Sequence, residues 1–514
     1  MGHPVGEAVA RLDVRLVPAA LTGWLVTAAG ILWPIGRAFA ACCVVLVAAS
    51  GVLSWCAVRC AARRGAPLGA IGAGLMAVGV VGAGFGLAIG LRADAIGRHP
   101  IVAAFGTSAP VTVTPTESAV SLGRDRLMFR ATMQRLRDDE ISGRVVVFAR
   151  APDFGPVMVG QPVRFSARIT RPARHDLTVA VLNATDRPIV GRAGLVYRAA
   201  HAVRGQFAAS VREVLPPDQA AMLPALVLGD TSAVTAETGR EFRAAGMTHL
   251  TAVSGANVTI VCGAVLFSAR LIGPRWAVAL AVVALVAFVF VVQPTASVLR
   301  AAVMGAIALA AMLSSRRRQA IPALSATVLM LMAVAPHLAV DVGFALSVVA
   351  TAALVVIAPV WSRRLVARGC PKPLADALAV AWAAQLVTAP LVAGISGRLS
   401  LVAAAANLAV APVIAPITVL GSAAAVLLIG WPGGAHVLMR FTGPELWWVL
   451  RVAHWAAGVP GATVPVPAGV PGAVVVTGGT VLAVALWRWR WFRVAMGLAA
   501  VCLLAWSLSG LLAH

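Results

Sequence analysis

The run PLGAIGAGLMAVGVVGAGFGLAIGL at residues 67–91 contains no charged side chain, and it restricts the possible folds more than any other feature of the chain. A helix rises 1.5 Å per residue, so a run of this length crosses about 30 Å of hydrocarbon. Comparable apolar runs occupy residues 16–34, 38–58, 276–293, 297–313, 320–336, 340–361, 375–396, 470–487 and 494–512. Another, at 247–269, is apolar only in its second half. A composition of 60% hydrophobic against 12% charged residues excludes an ordinary soluble domain. Backbone groups in lipid must bond internally, so the chain reads as a polytopic α-helical membrane protein. Arg11 and Arg15 precede the first run as in a signal peptide, but no small-residue cleavage site follows, which predicts a retained helix.

Arginine placement sets the expected orientation. Arg11, Arg15, Arg59, Arg63 and Arg64 flank one side of the first three spans, and only Arg37 the other. The N-terminus is therefore expected in the cytoplasm of a cell-membrane protein. The polar region that follows is expected outside. The same parity puts Arg316, Arg317, Arg318, Arg363, Arg364, Arg368 and Lys372 inside. For RWRWFR at 488–493 to lie inside as well, the stretch at 400–430 must cross twice or re-enter. Pro412 and Pro416 favour a broken pair there. The expectation is about 11–13 transmembrane helices.

Four regions follow: N-terminal spans at 1–91, a polar domain at 92–196, amphipathic helices at 197–246 and a second membrane block at 247–514. The polar domain carries five β-rich runs between turn residues: PVTVTPTE, RLMFRATMQRL, GRVVVFAR, GQPVRFSARIT and DLTVAVLNATD. They predict a small all-β barrel or sandwich, an oligonucleotide-binding (OB) type barrel being one solution. Residues 92–213 hold 18 Arg against 10 acidic residues, and the whole chain carries +23. That excess suits a polyanionic partner or anionic membrane lipid, although a solvated Arg-rich surface is the plainer alternative. Arg144, Arg150, Arg164 and Arg168 are the candidate nucleic-acid contacts. Phe148 and Phe165 are candidate stacking rings, with Phe129, Phe154 and Tyr197 behind them. YRAAHAVRGQFAASVREVL then has the periodicity of an amphipathic helix stopped by Pro216 and Pro217.

Polar residues inside the membrane block need an explanation, because each unsatisfied group in lipid costs several kcal/mol. His249, Ser254, Gly255 and Asn257 cluster in MTHLTAVSGANVTIV, and Arg300, Asp341 and Asn407 follow in later spans. A Ser–His dyad is disfavoured: on one helix His249 and Ser254 point about 140° apart. The nine His form no H-x-H-x-D-H cluster, and the cysteines avoid the polar region. Neither a metal site nor a cofactor nor a catalytic residue is expected. An Arg300–Asp341 pair tying two spans together is the structural alternative. The functional reading is that these residues line or brace a polar path.

The segment ALVLGDTSAVTAETGREFRAAGMTHLTAVSGANVTIV at 225–261 resembles the signature of the ComEC family of competence proteins, with its Gly-Asp turn, helix and His-Leu-x-Ala-Val-Ser-Gly segment. PTASVLRAA at 294–302, DVGFALS at 341–347 and the Asn407-Leu408 stretch resemble that family's later motifs, in the same order. The resemblance covers most of residues 67–430. It implies an inner-membrane channel that passes single-stranded DNA into the cytoplasm during natural transformation. It also implies a DNA receptor and a cytosolic helicase-type motor as partners. A C-terminal metallo-β-lactamase-like domain, common in the family, is not expected here, so any nuclease would be a separate protein. A non-transforming shortened relative, or a carrier for another anionic solute, is the alternative.

Overall fold

The computed structural model describes residues 13–33, 36–60, 66–123, 125–251, 255–293, 296–313, 320–486, 488–491, 494–495 and 497–498. Ser254, Arg316, Arg317, Arg318 and most of the span expected at 494–512 lie outside them. In chain order, α1 (Val17–Leu32), α2 (Gly36–Cys60) and α3 (Ala66–Gly97) precede a strand-rich domain. That domain holds β1 (Ser108–Pro115), β2 (Val120–Gly123), β3 (Arg126–Leu136), β4 (Asp139–Arg150), α4 (Ala151–Phe154), β5 (Val163–Thr170), β6 (Ala180–Ala184) and β7 (Ile189–Val190). Next come α5 (Leu195–Val214), α6 (Pro217–Leu228), α7 (Ala236–Ala244), α8 (Thr248–Thr251), α9 (Gly255–Ser268), α10 (Pro274–Val292), α11 (Ala296–Leu313) and α12 (Ala320–Val334). The chain continues through α13 (Val342–Val356), α14 (Ala358–Val366), α15 (Lys372–Ser396), β8 (Arg398–Ser400), α16 (Ala403–Leu427), α17 (Pro432–Phe441), α18 (Gly443–Gly458), β9 (Thr463–Pro465) and α19 (Val470–Leu486). Among the described residues six helices are long and apolar enough to cross a membrane, with shorter apolar helices beside them.

The chain divides into two compact units. One joins the residues up to 202 with 286–345; the other joins 203–285 with the residues from 346 onward. The first unit carries the strand domain. Its strands run β1-β3-β4-β6-β5, and a β1–β5 pairing closes these five into a barrel, with β2 on β3 and β7 on β5 as appendages. The β4–β6 ladder is parallel and the others are antiparallel. Alternation along each strand sends Leu127, Phe129, Ala131 and Met133 inward from β3, and Val145, Val147 and Ala149 inward from β4. Their neighbours Arg130, Thr132, Arg144, Val146 and Phe148 face outward on the same two strands.

This parity corrects part of the expected contact set. Phe165 stands at an inward position of β5, only 3% exposed, edge-on to Phe154 with ring centroids 5.1 Å apart. Phe129 and Phe154 join it in the core, and the ring of Tyr197 covers Gly160. Phe148, Arg150, Arg164 and Arg168 do face outward.

The second unit corrects the expected broken pair. Despite Pro412 and Pro416, α16 is one continuous helix. Each proline withholds one N–H from the helix ladder, and α16 runs on through both; elsewhere on the helix Trp448 Nε1 of α18 donates to Ala409 O at 2.9 Å. The returning leg is α17 and α18, packed along α16. Antiparallel pairing of Arg398–Ser400 with Thr463–Pro465 puts the start of α16 and the end of α18 at the same end of this hairpin.

Candidate functional site

In the second unit the signature segment folds into two turns held by buried polar groups. The helix α6 ends at Gly229 in the left-handed region (φ 69°), and Asp230 N bonds back to Pro224 O at 3.2 Å. Arg204 of α5 pins this turn: its Nη1 donates to Leu228 O at 2.7 Å, and its Nη2 lies 4.0 Å from the Asp230 carboxylate. Burial pushes the Arg204 guanidinium below the ordinary arginine range, and Asp230 opposes that shift. From the other side Asn257 of α9, 4% exposed, donates from Nδ2 to Leu226 O at 3.0 Å.

The second turn follows α7, which Thr235 caps through Thr238 N at 3.1 Å. Gly246 sits there at φ 68°, while Phe242 and Met247 are buried. Ser400 Oγ donates to Ala244 O at 2.7 Å, and Asn407 Nδ2 donates to Gly246 O at 3.3 Å. Asn257 and Asn407, two expected path residues, thus each brace a backbone carbonyl of the signature. His249 is exposed on the short α8, and Gly255 opens α9.

Arg204 escaped the sequence reading because it belongs to an amphipathic helix whose Arg residues look solvated. Arg204→Ala is expected to lower stability by about 1.5–3 kcal/mol, the range for a hydrogen bond to a charged group. A fall in the melting temperature of the detergent-solubilised protein checks this, with Arg212→Ala, at an exposed position of the same helix, as the control.

In the first unit Arg130 and Arg144, on the outward face of β3 and β4, lie near enough to the loop between α12 and α13 to act on His337. Indole Nε1 of Trp24 holds that loop at Ala339 O (2.9 Å), and the Trp24 ring stacks edge-on against the buried Phe344 at 5.4 Å. Arg92 Nη2 reaches Ala333 O at 3.4 Å. Asp341 does not pair with Arg300 among the described residues; its Oδ1 accepts from Phe344 N at 2.8 Å and caps α13. Arg300 is buried, with Nη1 3.5 Å from Met304 Sδ. Around the loop stand Arg130, bound by both oxygens of Glu117 at 3.1 and 3.3 Å, and Arg144. Burial, then Arg130, pushes the Arg144 guanidinium below its ordinary range. His337 is pushed down to about 4 by burial and by Arg144 and Arg130. A second membrane loop touches the barrel where Ser118 Oγ meets Gln293 Oε1 at 2.6 Å.

A mostly helical chain, with six described helices long and apolar enough to cross a membrane and one small β-barrel, is the class these features define. Within it, a family model described as Competence protein matches residues 226–491, more than half of the chain, and the chain belongs to that family, the ComEC competence proteins. The matched region takes in both signature turns, Asn257, Arg300, Asp341 and Asn407, and leaves out the barrel. Comparison with curated proteins and with solved structures gives no match.

Proposed function

We propose that this protein is the membrane channel through which a single DNA strand reaches the cytoplasm during transformation. The observation that carries the reading is the barrel's arginine-bearing face, set against the loop that opens the DVGFALS motif. Its reading as an OB-type barrel rests on closure by five strands with one parallel pair and on the short α4 between β4 and β5. A DNA receptor outside and a helicase-type motor inside supply and pull the strand, and a separate nuclease removes its complement. The barrel is assigned to the outer side of the cell membrane. Labelling of a cysteine placed at Arg150, but not at Arg490, by an impermeant reagent in intact cells tests that side; the reverse pattern overturns it.

The function itself is tested by salt-dependent retention of single-stranded DNA on the purified protein, together with uptake of labelled DNA by cells with and without it. Neutralising several phosphates releases counterions, so affinity is expected to fall steeply with salt, by about 0.7 log units per phosphate contact for each tenfold rise. Equal uptake without the protein, or transport of a small anion in place of DNA, overturns the assignment.

A further inference from the structure

We infer that the groove between α3 and α12 is a binding site for one anionic glycerophospholipid, its acyl chain lying along α3 and its phosphate held by Arg92. This site is separate from the passage of DNA and stands without it. Both helices pack against α1, and between them they leave a recess of about 290 Å³. Val81, Phe85 and Ile89 form one wall, Met332 and Pro336 the other, and Thr27 of α1 the floor. The Thr27 hydroxyl donates to Gly23 O at 2.6 Å within its own helix, so its proton is already spent. Hydrocarbon fits such a lining without leaving a polar group unpaired.

The groove ends on a charge. Arg92 is the first charged residue after the run at 67–91, so it marks the level at which α3 leaves hydrocarbon. Its Nη2 donates at 3.4 Å to Ala333 O, one of the last carbonyls of α12, and makes no other hydrogen bond among the described residues. A guanidinium carries five donors, so Nε and Nη1 remain for a phosphate. Asp94, the nearest acidic residue along α3, lies 3.8 Å from Arg98. Length selects the occupant. Val80 and Arg92 are the outermost lining residues of α3, and the helix between them rises about 18 Å. One leaflet of hydrocarbon is about 15 Å deep, half of the bilayer core. A chain anchored by its phosphate at Arg92 therefore reaches Val80. The glycines of α3 divide in the same way. A Cβ at Gly82 would lie 2.5 Å from Cys43 Sγ, where α3 packs against α2, whereas a Cβ at Gly84 would meet nothing within 4 Å. Gly84 lines the recess, so the side chain it lacks is space left to the ligand.

The test uses the full chain, stripped of lipid in neutral detergent. Its probes are phosphatidylglycerol, phosphatidylcholine and a phosphatidylglycerol carrying a diazirine at the end of one acyl chain. Wild type is expected to bind phosphatidylglycerol more tightly than phosphatidylcholine, and photolysis to label α3 around Val80. Arg92→Gln is expected to weaken phosphatidylglycerol about fivefold, the share of one basic residue at a membrane surface, and to leave phosphatidylcholine unchanged. Gly84→Leu fills the recess and is expected to abolish that label while melting no lower than wild type, since leucine favours a helix over glycine. Equal affinity of wild type for the two lipids, or a label confined to other helices, overturns the site, and neither measurement needs a variant that folds. Unchanged phosphatidylglycerol binding by Arg92→Gln overturns it as well. Loss of a dimer in Gly84→Leu, with lipid binding intact, overturns it in favour of a second copy of the chain.

Discussion

Gly246→Ala is expected to destabilise the second unit strongly. At φ 68° the backbone is left-handed, which costs an L-residue with a Cβ about 1–2 kcal/mol. A Cβ there would also lie 2.4 Å from Ala403 Cβ and 3.2 Å from Ala403 Cα, the latter fixed in the backbone of α16. Overpacking of this kind costs about 1–3 kcal/mol. The shift needed to relieve it also strains the bonds from Ser400 to Ala244 O and from Asn407 to Gly246 O. Together the loss is about 2–5 kcal/mol, a large share of the about 5–15 kcal/mol typical of a folded chain. Adding Ala403→Gly removes the 2.4 Å clash but neither the 3.2 Å approach to the Cα nor the φ penalty, so the double variant should recover only part of the lost melting temperature. Full recovery would assign the damage to sterics alone, and a wild-type melt of the single variant would show that the turn does not pack against α16.

The strands were legible because a pleated barrel dictates its own pattern. Burial on one face and solvent on the other force alternation in RLMFRATMQRL and VRFSARIT, and turn residues fall between them. That reading located the five barrel strands to within a few residues. It failed on which aromatics are free, because the phase of the alternation that buries Phe165 follows from its pairing with β1 rather than from composition. The membrane block was legible where hydropathy dominates and obscure where partners decide. Pro412 and Pro416 argue for a break, but α16 runs through both while packed against α17 and α18, which lie further along the chain. The helices α17 and α18 were hidden for a different reason: Glu445, Trp447, Trp448, Arg451 and His454 interrupt the apolar run. Of the candidate site, the sequence picked out Asn257, Asp341 and Asn407. Their partners are backbone carbonyls and a backbone N–H, which no side-chain pattern advertises. Arg204 and His337 owe their significance to what surrounds them in three dimensions.

Asn257→Asp distinguishes bracing from lining. The change keeps the size and shape of the side chain and replaces a donor by an acceptor. In the wild type Nδ2 donates to Leu226 O in a buried setting, holding the Gly-Asp turn against the first turn of α9. A carboxylate there faces a carbonyl oxygen with no proton between them. The lost bond, the orphaned carbonyl and an uncompensated buried charge together are expected to cost about 3–5 kcal/mol, with a marked fall in the melting temperature. Asn257→Ala should cost less, about 1–3 kcal/mol, because it orphans the carbonyl without burying a charge. If Asn257 acted only on a passing strand, both variants would melt like wild type and differ from it in DNA uptake alone. If it braces the turn, uptake and melting temperature fall together and in the same order, Ala before Asp. That order follows from the 3.0 Å bond to Leu226 O, and a variant series in which Ala is the more damaging of the two would remove Asn257 from the brace.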